Sequence, residues 1–336
     1  MSHSPPPYEG KPLAYLDQNV IDAIKRHGIK EFQEWLISEY ALVYSNETLE
    51  EIKRSNNPNI YLGILEQLNA LHVQPVLDSN FQSIDHQAHL TERCPFEIYN
   101  VYERQATIYG NPLQSLLEPS RKFMGGYPDK SNTEIAKNQI KNFESLLTNV
   151  EKEIESLTST SKEQVNEILN LYRDTHSKTV LDSAKILDNH EGMNDLNYFR
   201  NFFQVGPTSL NNIPNINTVE SIRDIIRKKN GQKDIFFDLD FYISTFNREL
   251  SILERCSIIY NALNYIGYHS DAAMHKYKKF SASTSDCVHT AYASLCDVLI
   301  SCDKRLVRKA TATYEYLNIN TKVVQLNIQL DNSIRE

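Results

Sequence analysis

The chain has 336 residues, of which 40% are hydrophobic, and its 43 acidic side chains outnumber 35 basic ones to give a net charge of −8. Such a chain lacks the general excess of Lys and Arg that binds phosphate non-specifically. Its five cysteines form no CxxC pair, which disfavours a zinc ribbon or a disulfide framework. No apolar run is long enough to cross a membrane and the N-terminus lacks an apolar signal core, so we expect a cytoplasmic protein without a membrane partner.

Residues 12–80 predict alternating strands and helices. The apolar run Pro12–Asp17 predicts a first strand, and the helical pattern NVIDAIKRHG follows it. Tyr40–Ser45 predicts a second strand before the helix NETLEEIKRS, and HVQPVLD predicts a third. Strands that alternate with helices in this way are typical of a parallel sheet covered by helices.

Residues 81–280 show almost no strand pattern and predict an all-helical insertion. Ser131 and Glu134 fit a capping box at the start of one helix. Apolar residues then recur at steps of three and four, which is typical of a helix in a coiled-coil-like pair. They are Ile140, Phe143, Leu147, Val150, Ile154 and Leu157. The break at TSTS predicts an antiparallel hairpin, although the same apolar seam fits pairing across a homodimer.

The strand and helix alternation returns after residue 281. The segment STSDCVHTAYASLC predicts a helix, DVLIS a strand, DKRLVRKATATYEYLN a helix and TKVVQL a last strand. The predicted fold is therefore α/β, with a parallel sheet flanked by helices. Its core is discontinuous, made of residues 12–80 and 281–336, and the helical insertion of residues 81–280 interrupts it.

Four acidic residues fall at strand ends or on the helices beside them. Asp17 ends the first strand, Glu51 lies one turn into the helix after the second, Asp286 opens a helix and Asp303 follows the strand DVLIS. Ligands of open α/β sheets bind at the carboxyl ends of the strands. Carboxylates that converge there repel one another unless cations neutralise them, and oxygen ligands suit Mg²⁺ or Mn²⁺.

Each of these acids also has an ordinary structural interpretation. Asp303 is well placed to be the N-cap of the helix after it, and Asp286 can be a cap of the same kind. Glu50 competes with Glu51 for the second position. Asp17 can simply end its strand, and Glu51 can be a solvated helix residue. The pattern alone therefore leaves an ordinary structural role and metal binding open for each position.

Four segments, in this order, resemble the motifs of the PIN-domain nucleases: LAYLDQNVI, YSNETLEEI, SDCVHTAYASLCDVLISCDKRL and TKVVQL. The resemblance implies a PIN-like fold and an endonuclease that hydrolyses phosphodiester bonds with Mg²⁺ or Mn²⁺, acting on RNA more often than on DNA. It implies four catalytic residues that are also metal ligands, namely Asp17, Glu51, Asp286 and Asp303. Asn19 and Ser301 would support the metal, the water or the phosphate through hydrogen bonds.

One histidine and two basic segments add to this interpretation. His289 lies three residues after Asp286 on the same helical face, where it either supports the site or is packed in the core. Lysines alternate with aromatic residues in HKYKKF, and more cations follow Asp303, a mixture that suits contact with nucleic acid. The predicted contact residues are Lys276, Lys278, Lys279, Lys304 and Arg305, with a solvated linker as the alternative for the first three.

Other functions are weaker alternatives. The chain can be an inactive PIN-like binding scaffold or a metal-dependent phosphatase. The segment IFFDLDFYIST is similar to the nucleophile loop of haloacid-dehalogenase phosphatases but lacks the Gly-Thr that follows it there, and His86 and His89 lack a matching ligand pair. The helical insertion is expected to select substrate, form a homodimer or bind a regulatory protein. Toxin, phage-defence and processing roles stay open.

Overall fold

The structure is a computed structural model that describes residues 8–28, 30–78, 82–154, 159–189, 195–210 and 212–327. Its strands are β1 (Leu13–Leu16), β2 (Ala41–Tyr44), β3 (Leu71–Leu77), β4 (Ser83–Thr91), β5 (Val298–Ser301) and β6 (Lys322–Gln325). The helices in the first half are α1 (Gln18–His27), α2 (Lys30–Glu39), α3 (Asn46–Arg54), α4 (Pro58–Gln67), α5 (Pro95–Ser115), α6 (Glu118–Phe123) and α7 (Asn132–Ile154). The later helices are α8 (Ser159–Asn189), α9 (Leu196–Phe203), α10 (Pro207–Leu210), α11 (Thr218–Asn230), α12 (Leu239–Ser244), α13 (Ile252–Ile266), α14 (Tyr277–Ala293) and α15 (Lys304–Tyr316), with a 3₁₀ helix at Gly231–Phe237. Within the described ranges, no helix is both long and apolar enough to cross a membrane.

The strands form one sheet in the order β4-β3-β2-β1-β5-β6. All neighbouring pairs are parallel except β3 and β4, which are antiparallel. Strand β1 is central, and its Ala14 lies opposite Leu42 of β2 and Val298 of β5. The predicted α/β class with a mostly parallel, helix-flanked sheet is confirmed.

The core forms because the central strands are apolar on both faces, as parallel strands covered by helices require. Every residue of β5 is buried. One face of the sheet presents Tyr15, Val43 and Leu299, which share a cluster with residues of α13, α14 and α15. These helical residues are Ile252, Cys256, Ala291, Ala293, Leu306, Ala310 and Tyr314. Each large apolar side chain buried here contributes about 1.5–3 kcal/mol relative to an exposed one.

The described chain divides into two compact units. The first draws on residues 1–100, 203–271 and 282–336 and contains the sheet. The second draws on residues 101–202 and 272–281. These extents differ from the predicted boundaries, because residues 203–271, assigned by the sequence to the insertion, group with the sheet.

The second unit contains the predicted antiparallel helical hairpin. Backbone N–H groups at the start of α7 donate to Asp188 near the end of α8, while Leu147 packs against Leu169 in the middle. Arg173 of α8 reaches back to two acids of α7, Glu144 at 2.9 Å and Glu151 at 2.8 Å. The seam residues Phe143 and Val150 line this contact, whereas Leu157 lies outside the described residues and the Ile154 side chain is not described. The capping box of Ser131 and Glu134 is confirmed by hydrogen bonds in both directions.

Two sequence predictions are wrong in this region. Residues 81–280 are not all helical, because β4 extends the sheet by pairing with β3. β4 is rich in polar residues and half exposed, as an edge strand can be, so it carries little apolar periodicity. Asp286 does not open a helix either, because α14 begins nine residues earlier at Tyr277. The Ser- and Thr-rich part of α14 before Asp286 resembles a linker in sequence, but burial of residues such as Phe280 and Ser283 stabilises it as a helix.

Candidate metal centre

Asp17 is held where β1 and β5 end side by side. Its backbone N–H donates to the Ile300 carbonyl at 3.1 Å, as a continuation of the parallel ladder. Its carboxylate is buried, and Oδ2 accepts hydrogen bonds from Ser301 Oγ at 2.7 Å and from Asn19 Nδ2. Asn19 Oδ1 in turn accepts from the Cys302 backbone at 2.7 Å. These contacts occupy Oδ2 and leave Oδ1 directed to other groups.

Glu51 is presented by α3, whose start is fixed by a capping box. Ser45 Oγ accepts from the Glu47 backbone N–H at 3.2 Å, and Thr48 Oγ1 accepts from the Ser45 N–H at 3.3 Å. Farther along α3, Arg54 Nη2 donates to Ser285 Oγ of α14 at 2.8 Å and lies 3.9 Å from Glu51. The cap and this contact together fix which face of α3 points to α14.

His289 completes the group from α14. The ring is completely buried, and its Nε2 lies 2.9 Å from Glu51 Oε2 and 4.0 Å from Asp17 Oδ1. Its Nδ1 lies 2.7 Å from Tyr15 Oη, which is also 2.6 Å from Ser45 Oγ. The ring is therefore fixed at one nitrogen by a buried hydroxyl chain, while the other nitrogen faces two carboxylates.

Asp17, Glu51 and His289 have the spacing of a metal-binding group. One ligand atom from each lies within 4.8 Å of the other two. Ligands about 2.0–2.2 Å from a shared ion lie roughly 3–4.4 Å from one another. The measured separations of 2.9 and 4.0 Å match that range with small adjustments. A metal-ligating histidine usually has a polar partner at its other ring nitrogen, and here the Tyr15 hydroxyl takes that place at Nδ1.

The electrostatics of the three groups are linked. The pKa of Asp17 is raised to about 6: burial is the largest cause, the His289 charge and the Ser301 hydrogen bond lower the pKa, and the Glu51 and Asp303 carboxylates add to the rise. Burial is the largest single effect on Glu51 and raises its pKa, but the hydrogen bond and charge of His289, with Arg54 and Ser285, together outweigh burial and leave the pKa below its ordinary value. Burial opposes protonation of His289, yet the surrounding Tyr15, Glu51 and Asp17 oxygens raise its pKa well above the usual range. In the metal-free protein the imidazolium therefore compensates the carboxylates.

The other two predicted acids are not members of this group. Asp303 is the N-cap of α15, where its Oδ1 accepts from the Arg305 N–H at 2.6 Å and the Leu306 N–H at 3.2 Å. Asp286 lies in the interior of α14, and burial together with the Asp17 carboxylate raises its pKa well above the ordinary value. Asp303 raises the pKa of Asp17, and Asp17 raises that of Asp286, but the ligand spacing is met by Asp17, Glu51 and His289.

The contacts of Ser301 show how it supports the site, and those of Glu50 and Glu51 distinguish the two glutamates. Ser301 Oγ both donates to Asp17 and accepts from the Asp303 N–H at 2.9 Å, so it connects two of the predicted acids. Glu50 faces Arg54 at 3.9 Å, whereas Glu51 faces the histidine. Of the two rivals, Glu51 therefore occupies the site.

The predicted basic contacts lie in both units. Lys304 and Arg305 are exposed in the first turn of α15. Burial is the main cause that lowers the pKa of His269, and the positive charges of Arg308, Lys304 and Arg305 lower it further. The remaining three, Lys276, Lys278 and Lys279, are exposed around the start of α14 and belong to the second unit.

Two features of the site were missed by the sequence interpretation. Tyr15 reads as an ordinary strand residue, yet its hydroxyl orients His289. Lys309 is fully buried and binds Asp271 at 2.7 Å. Its position three residues after buried Leu306 is the signal that could have identified it, because it places a charge on the apolar face of α15.

The two alternative motifs take structural roles. Asp238 accepts from the Phe241 N–H at 2.9 Å and caps the short helix α12. His86 and His89 lie in β4 and belong to no metal-capable group among the described residues. Comparison of the chain with protein-family models, curated proteins and solved structures finds no match.

Proposed function

We propose that the protein is a metal-dependent endonuclease with a PIN-like core that hydrolyses phosphodiester bonds, with RNA preferred over DNA. The observation that carries the proposal is the convergence of Asp17, Glu51 and His289 beside the carboxyl ends of β1 and β5. A buried group of two acids and one histidine with metal spacing has little value for stability alone, because buried charges are expensive to desolvate.

Asp17, Glu51 and His289 would hold the ion, and their chemistry fits Mn²⁺ or Mg²⁺. Carboxylate oxygens suit both ions, while the imidazole favours Mn²⁺ of the two. A bound ion of this type lowers the pKa of a water and neutralises charge on a phosphate oxygen. The surrounding residues keep the ligands in place: Ser301 fixes Asp17, and Tyr15 fixes the histidine ring.

Cations at the start of α15 support binding of a polyanion. Lys304 and Arg305 lie in the first turn of α15, at the positive end of the helix dipole, and Arg308 follows one turn later. Acidic residues are favoured in a first turn, and this one has none beyond the N-cap Asp303. The placement of these cations costs stability locally, and contact with phosphate would offset that cost. Lys304 and Arg305 directly follow Asp303, whose backbone N–H donates to Ser301 Oγ, and Ser301 Oγ in turn donates to Asp17 Oδ2.

The proposed PIN-like fold, and with it the preference for RNA as substrate, depends on the order of the motifs along the chain. The first strand ends in Asp17, the second precedes Glu51, and the chain returns after residue 281 with a helix, β5, α15 and β6. A central β1 between β2 and β5 is compatible with that assignment. Substrate selection, dimer formation or binding of a regulatory protein remains our expectation for the helical insertion.

The test is cleavage of labelled tRNA, mRNA and single-stranded DNA with Mn²⁺, with Mg²⁺ or with EDTA. We expect cleavage only with metal, and loss of at least 100-fold in rate for Asp17→Asn and Glu51→Gln. Asp182→Asn on the exposed face of α8 is the matched control and should cleave as the wild type does. Metal-independent cleavage, or full activity of Asp17→Asn, would refute the proposal.

The same experiment separates the alternatives. Binding of RNA without cleavage under any metal condition would favour the inactive scaffold. Hydrolysis of p-nitrophenyl phosphate with Mn²⁺, but of no nucleic acid, would favour the phosphatase.

A further inference from the structure

Two tyrosines and several cations come together in the second unit from segments that lie far apart in the chain. The Arg121 guanidinium, in the last turn of α6, lies 4.3 Å from the centre of the Tyr127 ring and 5.1 Å from the centre of the Tyr277 ring. The Lys130 ammonium lies 4.9 Å from the centre of the Tyr127 ring. Both segments belong to this unit. The cation–tyrosine surface consists of Arg121, Tyr127, Lys130, Lys276, Tyr277 and Lys278.

The turn after α6 places Tyr127 against Arg121. Gly125 has a φ of 86° and Tyr127 a φ of 53°, in the left-handed region that residues with a side chain adopt rarely. A Cβ at Gly126 would lie 2.8 Å from Arg121 Cγ and 2.9 Å from the Arg121 carbonyl oxygen, so only glycine fits there. Arg121 Nη1 then donates to Tyr127 Oη at 2.8 Å. Because this backbone conformation is unfavourable for tyrosine, its retention favours a role for the ring beyond packing.

The charge of the two segments differs from that of the whole chain. Residues 118–130 and 272–281 carry six lysines and arginines and two acids, whereas the chain has a net charge of −8. In the part of the chain that the structure describes, Lys276, Lys278 and Lys279 have no acidic partner within ion-pair distance. α14 begins among these lysines and has no acid in its first turn, so the helix dipole adds to their positive potential. This end of α14 therefore attracts an anionic partner.

Tyr277 distinguishes nucleic acid from other anionic partners. Its ring is 49% exposed although Arg121 lies over it, so a second planar group can stack on it. Its chain neighbours Lys276 and Lys278 are both exposed. Proteins that bind single strands combine stacking of bases on aromatic rings with cations that contact the phosphates. An acidic protein segment would use the lysines and leave the ring without a partner.

We propose that the cation–tyrosine surface binds single-stranded nucleic acid, with one base stacked on Tyr277 and with phosphates on Lys276 and Lys278. The inference rests on the proposed function for the identity of the strand, which is the substrate of that nuclease. Arg121 orients both tyrosine rings by its contacts with them. The surface gives the helical insertion a role in substrate binding and takes no part in the hydrolysis itself.

The first test measures binding without cleavage. Fluorescence anisotropy of a labelled single-stranded RNA, and of single-stranded DNA of the same sequence, is measured with the full chain in EDTA. Tyr277→Leu removes the stacking ring and keeps an apolar side chain, so it should raise Kd by roughly 5–100-fold, while Tyr277→Phe should bind as the wild type does. Tyr198→Leu is the matched control, because Tyr198 is 42% exposed elsewhere in the same unit. A folded Tyr277→Leu with the wild-type Kd would overturn the inference.

The second test counts phosphate contacts. The double variant Lys276→Gln/Lys278→Gln should lower the slope of log affinity against log salt by roughly 1.4. Lys178→Gln/Lys185→Gln, at exposed positions of α8, is the control and should keep the wild-type slope. Poly-glutamate that binds the wild type more tightly than RNA or DNA, and binds the Lys276→Gln/Lys278→Gln variant less tightly, would identify an acidic protein partner and reject the inference.

Cleavage assays separate this inference from the proposed function. Weaker RNA binding by Tyr277→Leu, together with no cleavage by the wild type in Mn²⁺, would support the surface and refute the nuclease. Cleavage by the wild type, with equal Kd for wild type, Tyr277→Leu and Lys276→Gln/Lys278→Gln, would refute the surface and leave the nuclease standing.

Discussion

Replacement of Tyr15 by Phe tests whether the hydroxyl chain behind His289 serves the metal centre. The variant keeps the buried ring and removes only the Oη atom, which lies 2.7 Å from His289 Nδ1 and 2.6 Å from Ser45 Oγ. Ser45 retains its bond from the Glu47 N–H, so His289 is the group that loses its partner. A buried polar group without a partner costs about 1–3 kcal/mol. We expect a loss of that size in urea unfolding without metal.

The gain in the free energy of unfolding on addition of Mn²⁺ reports how tightly the centre binds metal. Wild-type protein with Mn²⁺ at about 100 times its Kd gains about 2.7 kcal/mol. Loss of an outer hydrogen bond to a metal-ligating histidine typically weakens metal binding by about 10–100-fold. A tenfold weaker Kd at the same Mn²⁺ concentration leaves a gain of about 1.4 kcal/mol. Tyr15→Phe should therefore lose about half of the stabilisation that Mn²⁺ provides.

Tyr44 offers a matched control on the neighbouring strand. It is equally buried, and its hydroxyl has no hydrogen-bond partner among the residues that the structure describes, so Tyr44→Phe should keep the full Mn²⁺ gain. The assay is urea unfolding followed by tryptophan fluorescence or circular dichroism, with and without Mn²⁺. An unchanged Mn²⁺ gain in Tyr15→Phe would refute the assignment of His289 as a ligand oriented by Tyr15.

Three further predictions follow from the site. Asp303→Asn keeps the helix cap and removes the charge, so it should slow cleavage and leave the stability almost unchanged. Asp303→Ala removes the cap as well and should also lose about 1 kcal/mol in urea unfolding. Equal activity of Asp303→Asn and wild type would limit Asp303 to capping. The Asp17 pKa of about 6 exceeds its ordinary value of 3.8. The metal-free folded protein therefore binds the Asp17 proton more tightly than the unfolded chain does, and its free energy of unfolding should fall as pH rises from about 4 to about 6. Asp17→Asn should remove that part of the decline in thermal melts, and an unchanged pH profile would contradict the shift. Replacement of Lys304 and Arg305 by Gln should lower the slope of log affinity for single-stranded RNA against log salt by roughly 1.4, measured by fluorescence anisotropy, and an unchanged slope would exclude their contact with phosphate.

The strands and the first acids were predictable because they follow local rules. Five of the six strands in the described part of the chain have apolar runs, and Asp17 directly follows the run of β1, so its place at the end of that strand follows from the strand pattern alone. Glu51 was separable from Glu50 only by motif spacing, and the structure places Glu51 against His289. The edge strand β4 escaped prediction because its stability comes from pairing with β3 and not from its own periodicity.

The composition of the candidate site was less predictable, because it depends on packing between distant segments. The sequence left His289 open between a role at the site and a place in the core, because its contacts with Glu51 and Asp17 depend on how α14 packs against α3 and β1. Asp286 was predicted to open a helix, whereas it lies in the interior of α14. Lys309 needs Asp271 to be tolerated in the core, and nothing in the local sequence of α15 indicates that partner.

The sheet also sets the time at which the candidate centre can exist during synthesis. Asp17 meets Ser301, a residue 284 positions later, and the central strand β1 lacks its β5 neighbour until then. At about 5–20 residues per second, a ribosome needs roughly 15–60 s to cover that distance. From the synthesis of Glu51 until that of His289, which is most of this interval, a nascent chain has both acids but no His289, so it cannot assemble the three-ligand group. If the protein cleaves RNA, this order of assembly keeps the growing chain inactive while it is attached to its own messenger and ribosome.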